Sequence, residues 1–216
     1  LGILGIIACT TCAQAQKREV KIFTPYGKMV VALSDETPRY RDNFVKLVKK
    51  RFYDGLLFHR VIRDFMIQGG DPNSRHAKQG QPLGDGGVGY TIPATFVPDL
   101  FHRKGALAAA RQGDMVNPQK ASSGCQFYIV EGRKYTDAEL SMIQQRTGHT
   151  FPESQRTVYE SVGGTPFLDG SYTVFGQVIQ GLPVLDSIAA VATDGRDRPD
   201  RDIPMKIRLV HKFLFF

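Results

Sequence analysis

The 216-residue sequence predicts a mainly β domain, folded as a closed antiparallel barrel with two framework helices and one inserted helical hairpin. Three observations support this prediction. Short apolar segments of strand length recur along the chain, mostly with no helix between them, which favours antiparallel pairing over a parallel sheet. Two amphipathic helices interrupt this series. Finally, the periodicity of residues 133–164 changes to that of helices.

The predicted strands are rich in β-branched and aromatic residues and are bounded by Gly, Pro and Asn. Pro93 marks one of them as an edge strand or a bulge, because proline donates no hydrogen bond to a sheet. Gly176 predicts a bulge inside another strand. The segments are a strand pair in 18–34 around a turn at 25–27, a hairpin in 58–71, and single strands in 90–96, 124–132, 171–181 and 204–216, while residues 105–111 are small and apolar.

The two framework helices are predicted at residues 36–55 and 182–191. In the first, apolar residues recur at helical spacing on one face. Thr37 has the side chain of a helix N-cap, and Pro38 suits a first turn, where its missing N–H costs nothing.

The segment at about residues 133–164 predicts two further helices, inserted into the β-rich chain. Thr136 and Glu139 have the spacing of a capping box, in which each side chain bonds the backbone of the other residue. Thr150 and Glu153 repeat this spacing. We therefore expect a helical hairpin that stands outside the barrel.

The formal charge of +7 is dispersed along the chain. The densest basic run, residues 46–51, lies on an amphipathic helix, and the charges of residues 194–202 alternate in sign. A nucleic-acid face needs a stripe of one sign, so we expect a solvated surface and no nucleic-acid partner.

Residues 1–16 are apolar and then small, and the apolar run is too short to span a bilayer. They predict a secretory signal with a cleavage site at residues 13–15. Alternatively, residues 6–9 are similar to a bacterial lipobox, which places a lipid on Cys9, or the segment is a buried amphipathic helix. We expect an extracytoplasmic, periplasmic protein whose folded domain is residues 17–216 and whose only membrane contact is that lipid.

The sequence motifs that would indicate other chemistries lack the neighbouring elements or the spacing that those chemistries require. Residues 84–89 have the letters G-x-G-x-x-G, but no helix follows them, so they predict a sharply turning loop. The five histidines lack metal-ligand spacing, and Ser122 and Ser123 stand outside a nucleophile elbow. Cys125 has no partner in the mature domain and is predicted to be a core residue. We expect neither a metal nor a cofactor.

An arginine, Arg60, and a glutamine, Gln68, stand in the otherwise apolar hairpin of residues 58–71. Burying an unpaired guanidinium is costly, so the position needs a reason. Strand alternation sends Phe58, Arg60 and Ile62 to one face, while the face of Gln68 depends on the parity of the turn, which stays open. One alternative is an arginine that points outward from an edge strand. The other is an apolar groove with two donors, which suits a neutral, partly apolar peptide.

The hairpin "FHRVIRDFMIQGGD" (58–71) resembles the signature segment of the cyclophilins, the β-barrel peptidyl-prolyl cis-trans isomerases. The resemblance covers about residues 18–132 and 165–214, and the insertion is similar to those of bacterial members. It implies an eight-stranded barrel that accelerates rotation about X-Pro bonds in proline-containing polypeptides and so assists folding. Further motifs follow in family order: "GALAAA" (105–110), "SGCQFYIV" (123–130), "PFLDGSYTVFGQV" (166–178) and "GLPVLDSIA" (181–189).

Carried over residue by residue, the resemblance implies that Arg60 is the catalytic arginine. Gln68 would orient its guanidinium or hold the substrate carbonyl. The remaining matched positions form the implied peptide groove: Phe65, Met66, Ala110, Arg111, Gln112, Gln126, Tyr128, Phe167, Leu168 and Tyr172.

Several positions depart from the family pattern. Tyr128 replaces the usual Phe, Tyr172 a common His, and Arg111 a usual Asn. Phe167 stands where cyclosporin-sensitive members carry Trp, so we expect weak cyclosporin binding. The departures also leave an alternative function, a proline-directed binding module or chaperone with little turnover. We expect a monomer in either case.

Overall fold

The computed structural model describes residues 18–210, and these residues form a mainly β fold, as predicted. The interpretations of residues 1–16 and of a lipid on Cys9, and the end of the predicted closing strand at 211–216, lie outside the described residues. The elements are β1 Glu19–Thr24, β2 Gly27–Leu33, α1 Pro38–Lys49, β3 Phe58–Ile62, β4 Met66–Gly69, β5 Thr91–Ile92, β6 Ala106–Ala109, β7 Ser122–Ser123, β8 Phe127–Val130, α2 Asp137–Thr147, α3 Glu153–Ser161, β9 Val174–Gln180, α4 Leu182–Ala189 and β10 Lys206–Leu209.

Eight of the strands form one antiparallel sheet in the order β10-β1-β2-β9-β6-β8-β4-β3. The sheet is an open, curled half-barrel, so the predicted closed barrel is wrong. The edge strands β3 and β10 do not pair, and an isolated bridge between Leu57 and Pro204 spans the gap. Pro204 has no N–H to extend a ladder, and the chain before it is a loop that reaches β3 at a few points, such as the Phe58 N–H bond to the Ile203 carbonyl.

The inner face of the sheet is an apolar core that the framework helices α1 and α4 cover. Phe127 of β8 meets the rings of Phe44 and Tyr53 edge-on, with centroids 5.5 Å apart in both pairs. Helix α1 begins at Pro38 as predicted, but the expected cap is wrong in one detail. The Thr37 side chain makes no capping hydrogen bond, and only its backbone carbonyl accepts bonds from the first turn.

The insertion folds as the predicted pair of helices, α2 and α3. The capping box at Thr136 and Glu139 is confirmed. The second one is wrong: Pro152 precedes α3, which makes Glu153 the first helical residue and puts it out of reach as an N3 partner for Thr150. The two ends of the insertion meet where Arg133 and Gly164 exchange backbone hydrogen bonds of 3.3 and 2.9 Å.

Two strand details qualify the prediction. The expected strand at 90–96 is reduced to β5, which pairs only with β7 outside the main sheet. The bulge expected at Gly176 is confirmed, because the register of β6 with β9 shifts between Leu107 and Ala108, beside that glycine. Among the described residues, no helix has the length and apolarity needed to cross a bilayer.

Candidate active site

The register of the β3–β4 hairpin places Arg60 and Gln68 on one face of the sheet. Arg60 pairs directly across the strands with Gln68, and Ile62 pairs with Met66. Directly paired residues of an antiparallel ladder point to the same side. Met66 and Ile62 belong to an apolar cluster on the outer face, separate from the core under α1. The arginine and the amide therefore lie side by side outside the barrel core.

A bulge in β3 corrects one part of the predicted alternation. The register shifts between Phe58, which pairs with Gly69, and Arg60. The extra residue turns Phe58 inward to the core that holds Val61. Phe58 and Arg60 were expected on one face and lie on opposite faces, because a bulge reverses the alternation of side chains.

The same row continues into the neighbouring strands. Gln68 pairs with Tyr128 of β8, and Tyr128 pairs with Ala108 of β6. Adjacent strands are about 4.8 Å apart, so Arg60, Gln68 and Tyr128 follow one another across the outer face. The sheet register thus brings Tyr128, from a distant part of the sequence, beside the two polar side chains of the hairpin.

A cavity of about 110 Å³ opens over this row. It is smaller than the pockets of about 300–1,000 Å³ that hold drug-sized ligands, and it suits a single ring. Arg60 is at its mouth with 41% of the side chain exposed. The nine lining residues all belong to the expected site: Arg60, Phe65, Met66, Gln68, Ala110, Arg111, Tyr128, Leu168 and Tyr172.

Three expected residues do not line the cavity. Gln126 lies behind it: its Nε2 donates to the carbonyls of Gly84 and Gly86, both at 2.7 Å, and its Oε1 accepts from Gln68 Nε2 at 3.1 Å. Phe167 stands on the rim, 42% exposed, with its ring 5.7 Å from that of Phe65. Gln112 is exposed on the loop beyond β6.

The backbone of Ala110, just after β6, is already hydrogen-bonded within the protein. The N–H of Ala110 already donates to the Gln126 carbonyl, and its own carbonyl accepts from Ser123 N. The backbone N–H and carbonyl of Ala110, which lines the cavity, are therefore both used within the protein.

The Arg111 side chain is used inside the protein. Its Nε donates to the Ser171 carbonyl at 2.8 Å, and its guanidinium lies 4.3 Å from the ring centroid of Tyr172. An ion pair of 2.6 Å with Asp114 holds the other end. Arg111 thus ties the loop beyond β6 to the far wall of the cavity.

Asp197 is a site residue that the sequence did not indicate. Its Oδ2 accepts from Arg60 Nε at 3.2 Å, and its carbonyl accepts from Val61 N at 2.8 Å. The turn is held by Asp194, whose carboxylate accepts from the backbone N–H groups of Arg196 and Arg198; these bonds lower the pKa of Asp194. The alternating charges of residues 194–202 were interpreted only as a solvated surface.

His102 and Asp169 were also missed. The Tyr128 hydroxyl lies 3.0 Å from His102 Nε2, and His102 Nδ1 lies 2.7 Å from Asp169 Oδ1. Burial raises the pKa of Tyr128 well above its ordinary value, so the phenol keeps its proton. The exchange of Phe for Tyr at position 128 was the one available signal, because a buried hydroxyl needs a partner.

Comparisons with known proteins decide the family. A family model described as "Cyclophilin type peptidyl-prolyl cis-trans isomerase/CLD" matches residues 19–210. The chain belongs to this family. A Staphylococcus haemolyticus protein named as a peptidyl-prolyl cis-trans isomerase is 36% identical over 196 residues, which cover 88% of this chain and 90% of that protein. The enzyme class that the sequence resemblance implied is confirmed.

Solved cyclophilin structures agree with the fold. The crystal structure of a Cryptosporidium parvum cyclophilin matches with a TM-score of 0.66 and 24% identity, covering 91% of this chain and 99% of that one. A structure of the same protein in the presence of the dipeptide Ala-Pro matches with a TM-score of 0.64 and 23% identity, covering 90% and 99%.

Proposed function

We propose that this cyclophilin isomerises X-Pro bonds in the cavity beside Arg60, with the proline ring held against Phe65, Met66 and Leu168. The observation that carries this assignment is the pairing of Arg60 with Gln68, which places a fixed positive charge in the same cavity as Phe65, Met66 and Leu168. A protein that matches this fold has been crystallised in the presence of Ala-Pro, a ligand whose proline is a single ring of the size that the cavity suits.

The chemistry needs only electrostatics. The barrier to rotation, about 18–20 kcal/mol, comes from amide resonance, and no bond is made or broken. At the twisted transition state the prolyl nitrogen becomes pyramidal and regains its lone pair. A donor near that nitrogen stabilises the twisted amide more than the planar one, which is differential binding by a preorganised group.

Arg60 suits this role because its charge is permanent and its donors form a rigid fork. Asp197 engages Nε, and within residues 18–210 no protein acceptor engages the two Nη groups, so these face the substrate. The Gln68 amide donates one N–H to Gln126 and has a second N–H that can donate to the substrate carbonyl. The side chains of the cavity wall then exclude water from the rotating bond.

The test is a protease-coupled isomerase assay on an Ala-Pro peptide, comparing wild type with Arg60→Ala. We expect kcat/KM to fall about 10²-fold, the cost of removing one preorganised donor. Arg63→Ala, an exposed arginine in the turn of the same hairpin, is the matched control and should stay within about twofold. Near-wild-type turnover of Arg60→Ala would refute the assignment.

The second candidate is a proline-directed binding module or chaperone with little turnover. It draws support from the rim departures at Tyr172 and Arg111, which alter the groove without removing it. The same assay separates the two functions. A binding module would withhold the peptide from the protease without accelerating its isomerisation, and it would tolerate the loss of Arg60.

We further propose that the protein acts as a monomer on polypeptides folding outside the cytoplasm. The composition of residues 1–16 supports the location outside the cytoplasm. Mass spectrometry of the mature N-terminus tests this: a free residue near position 16 indicates cleavage of a signal, and a diacylglyceryl adduct on Cys9 indicates a lipoprotein. An intact N-terminus contradicts both.

Weak cyclosporin binding follows from Phe167. A phenylalanine offers no N–H donor where an indole would, and its ring is on the rim against Phe65. We expect a micromolar or weaker Kd by calorimetric titration, and tighter binding by Phe167→Trp. Nanomolar binding by the wild type would contradict the proposal.

A further inference from the structure

A chain of four buried polar side chains connects the floor of the cavity to the insertion. It runs from the Tyr128 hydroxyl to His102 at 3.0 Å, and from His102 to Asp169 at 2.7 Å. Asp169 then accepts a bond of 2.5 Å from the hydroxyl of Tyr159, on helix α3. None of the four residues is more than 6% exposed.

We propose that the insertion positions the proline pocket through this chain, with His102, Asp169 and Tyr159 as positioning residues. This inference rests on the function proposed above. It gives the helical hairpin of residues 133–164 a role in catalysis, although no side chain of that segment lines the cavity.

The first link is the Tyr128 hydroxyl. Its ring packs in the cluster of Met66 and contacts the ring of Tyr172 edge-on at 6.0 Å. Within the described residues His102 is the one hydrogen-bond partner of the hydroxyl, and the imidazole is nearly parallel to the phenol ring, at 16°. A buried hydroxyl without a partner is costly, so the place of His102 decides where the phenol sits.

The second link is Asp169, which fixes the cavity wall. It directly follows the short 3-10 turn that carries Phe167 and Leu168. Its Oδ1 accepts both from the His102 ring and from the His102 backbone N–H, at 2.7 and 2.8 Å. The backbone of Thr165, on the other side of the turn, donates to the His102 carbonyl. His102 and Asp169 thus hold both the cavity wall at Leu168 and the Tyr128 phenol.

The third link is Tyr159, which the insertion supplies. Its ring is enclosed by Leu140 and Phe151 of the insertion and meets Phe101, the neighbour of His102, at 5.4 Å. Its hydroxyl is the donor to Asp169 Oδ2, a charge-assisted bond of the stronger kind. Without the Tyr159 hydroxyl, the buried Oδ2 of Asp169 loses its donor, and the Asp169 carboxylate and the His102 imidazole must rearrange.

The experiment uses the full chain with ¹³C-methyl labels on its five methionines. Met66 reports on the pocket, and Met29 and Met205 report on the inner core. We expect Tyr159→Phe to shift the Met66 signal and to leave the two core signals in place. Tyr135→Phe is the matched control, because it lies in the same cluster and its hydroxyl makes no hydrogen bond within the described residues.

Kinetics give the second readout. We expect Tyr159→Phe to lower kcat/KM about three- to tenfold, in the range of coupling through a packed network, with the Kd for the Ala-Pro peptide nearly unchanged. The double variant with Tyr128→Phe should lose no more than the worse single variant, because both break one chain.

An unchanged Met66 signal, or losses that add in the double variant, would overturn the inference. A merely structural role predicts lower stability with equal kinetics per folded molecule. If the wild type has no isomerase activity, the proposed function fails, and the Met66 signal still tests the coupling alone.

Discussion

The two faces of strands β4 and β8 differ in what holds their side chains in place. Ile67, Phe127 and Ile129 point inward to a core sealed by helices, where shape alone matters. Met66 and Tyr128 alternate with them and point to the cavity. Because the pleat alternates sides, the same few residues of chain build the most stable part of the molecule and its reactive part.

On the outer face, each polar side chain of the row has a dedicated partner that does not line the cavity. The pairs are Arg60 with Asp197, Gln68 with Gln126, and Tyr128 with His102. The inward side chains of β4 and β8 are apolar and need no such partners. The core thus depends on apolar volume, whereas the site depends on a second layer of polar residues that holds Arg60, Gln68 and Tyr128 in place.

The largest effect should come from the inner face. Phe127→Ala removes a ring that contacts three other aromatic rings, and we expect it to lower the free energy of unfolding by about 3–5 kcal/mol. Met66→Leu, its outer-face counterpart, should cost less than about 1.5 kcal/mol but reduce isomerase activity. Urea unfolding and the peptide assay measure both. Equal costs in stability would break the comparison.

A smaller effect tests the second layer. Asp197→Asn removes the charge that holds Arg60 Nε, and we expect kcat/KM to fall about three- to tenfold because the guanidinium is less fixed. The pair is exposed, so stability should change by less than about 1 kcal/mol. Asp200→Asn, an exposed residue of the same loop, is the control. Equal kinetics in the two variants would show that Asp197 does not position Arg60.

The smallest effect concerns His59, at the bulge in β3 where the alternation of side chains reverses. His59 is buried there, both ring nitrogens lack a partner within the described residues, and burial lowers its pKa. As the pH falls through the ordinary value of about 6.5, the unfolded chain takes up this proton more readily than the folded chain does, so stability falls as pH decreases through this region.

Between pH 7 and pH 6 this loss is at most about 0.7 kcal/mol. Urea unfolding at both values should show it in the wild type and not in His59→Gln, which cannot titrate. A pH dependence that persists unchanged in the variant would assign it to other groups.

Local patterns predicted local structure well. The hairpin at 58–71, the bulge at Gly176 and the capping box at Thr136 all depend on residues a few positions apart, and each is confirmed. The failure at Thr150 and Glu153 is also local, since Pro152 moved the helix start. The bulge beside Phe58 contains no glycine that would have indicated it, so the predicted face of Phe58 was wrong.

Contacts between distant segments could not be predicted in the same way. Asp197 is 137 positions from Arg60, and His102 is 67 from Asp169, so no periodicity links them. The open edge of the sheet likewise depends on how the loop before β10 meets β3. Lining residues could be carried over from the family motif, and so could Gln126, which holds Gln68, but Asp197 and His102, which hold Arg60 and Tyr128, could not.

One feature of the backbone has a practical consequence for engineering. The insertion leaves and rejoins the domain where Arg133 pairs with Gly164, so the loop between its two helices can be shortened or exchanged without moving that pair. Removing Tyr159 as well would take away the donor to Asp169. A foreign segment that replaces the whole insertion would therefore have to supply its own donor to Asp169 in place of the Tyr159 hydroxyl.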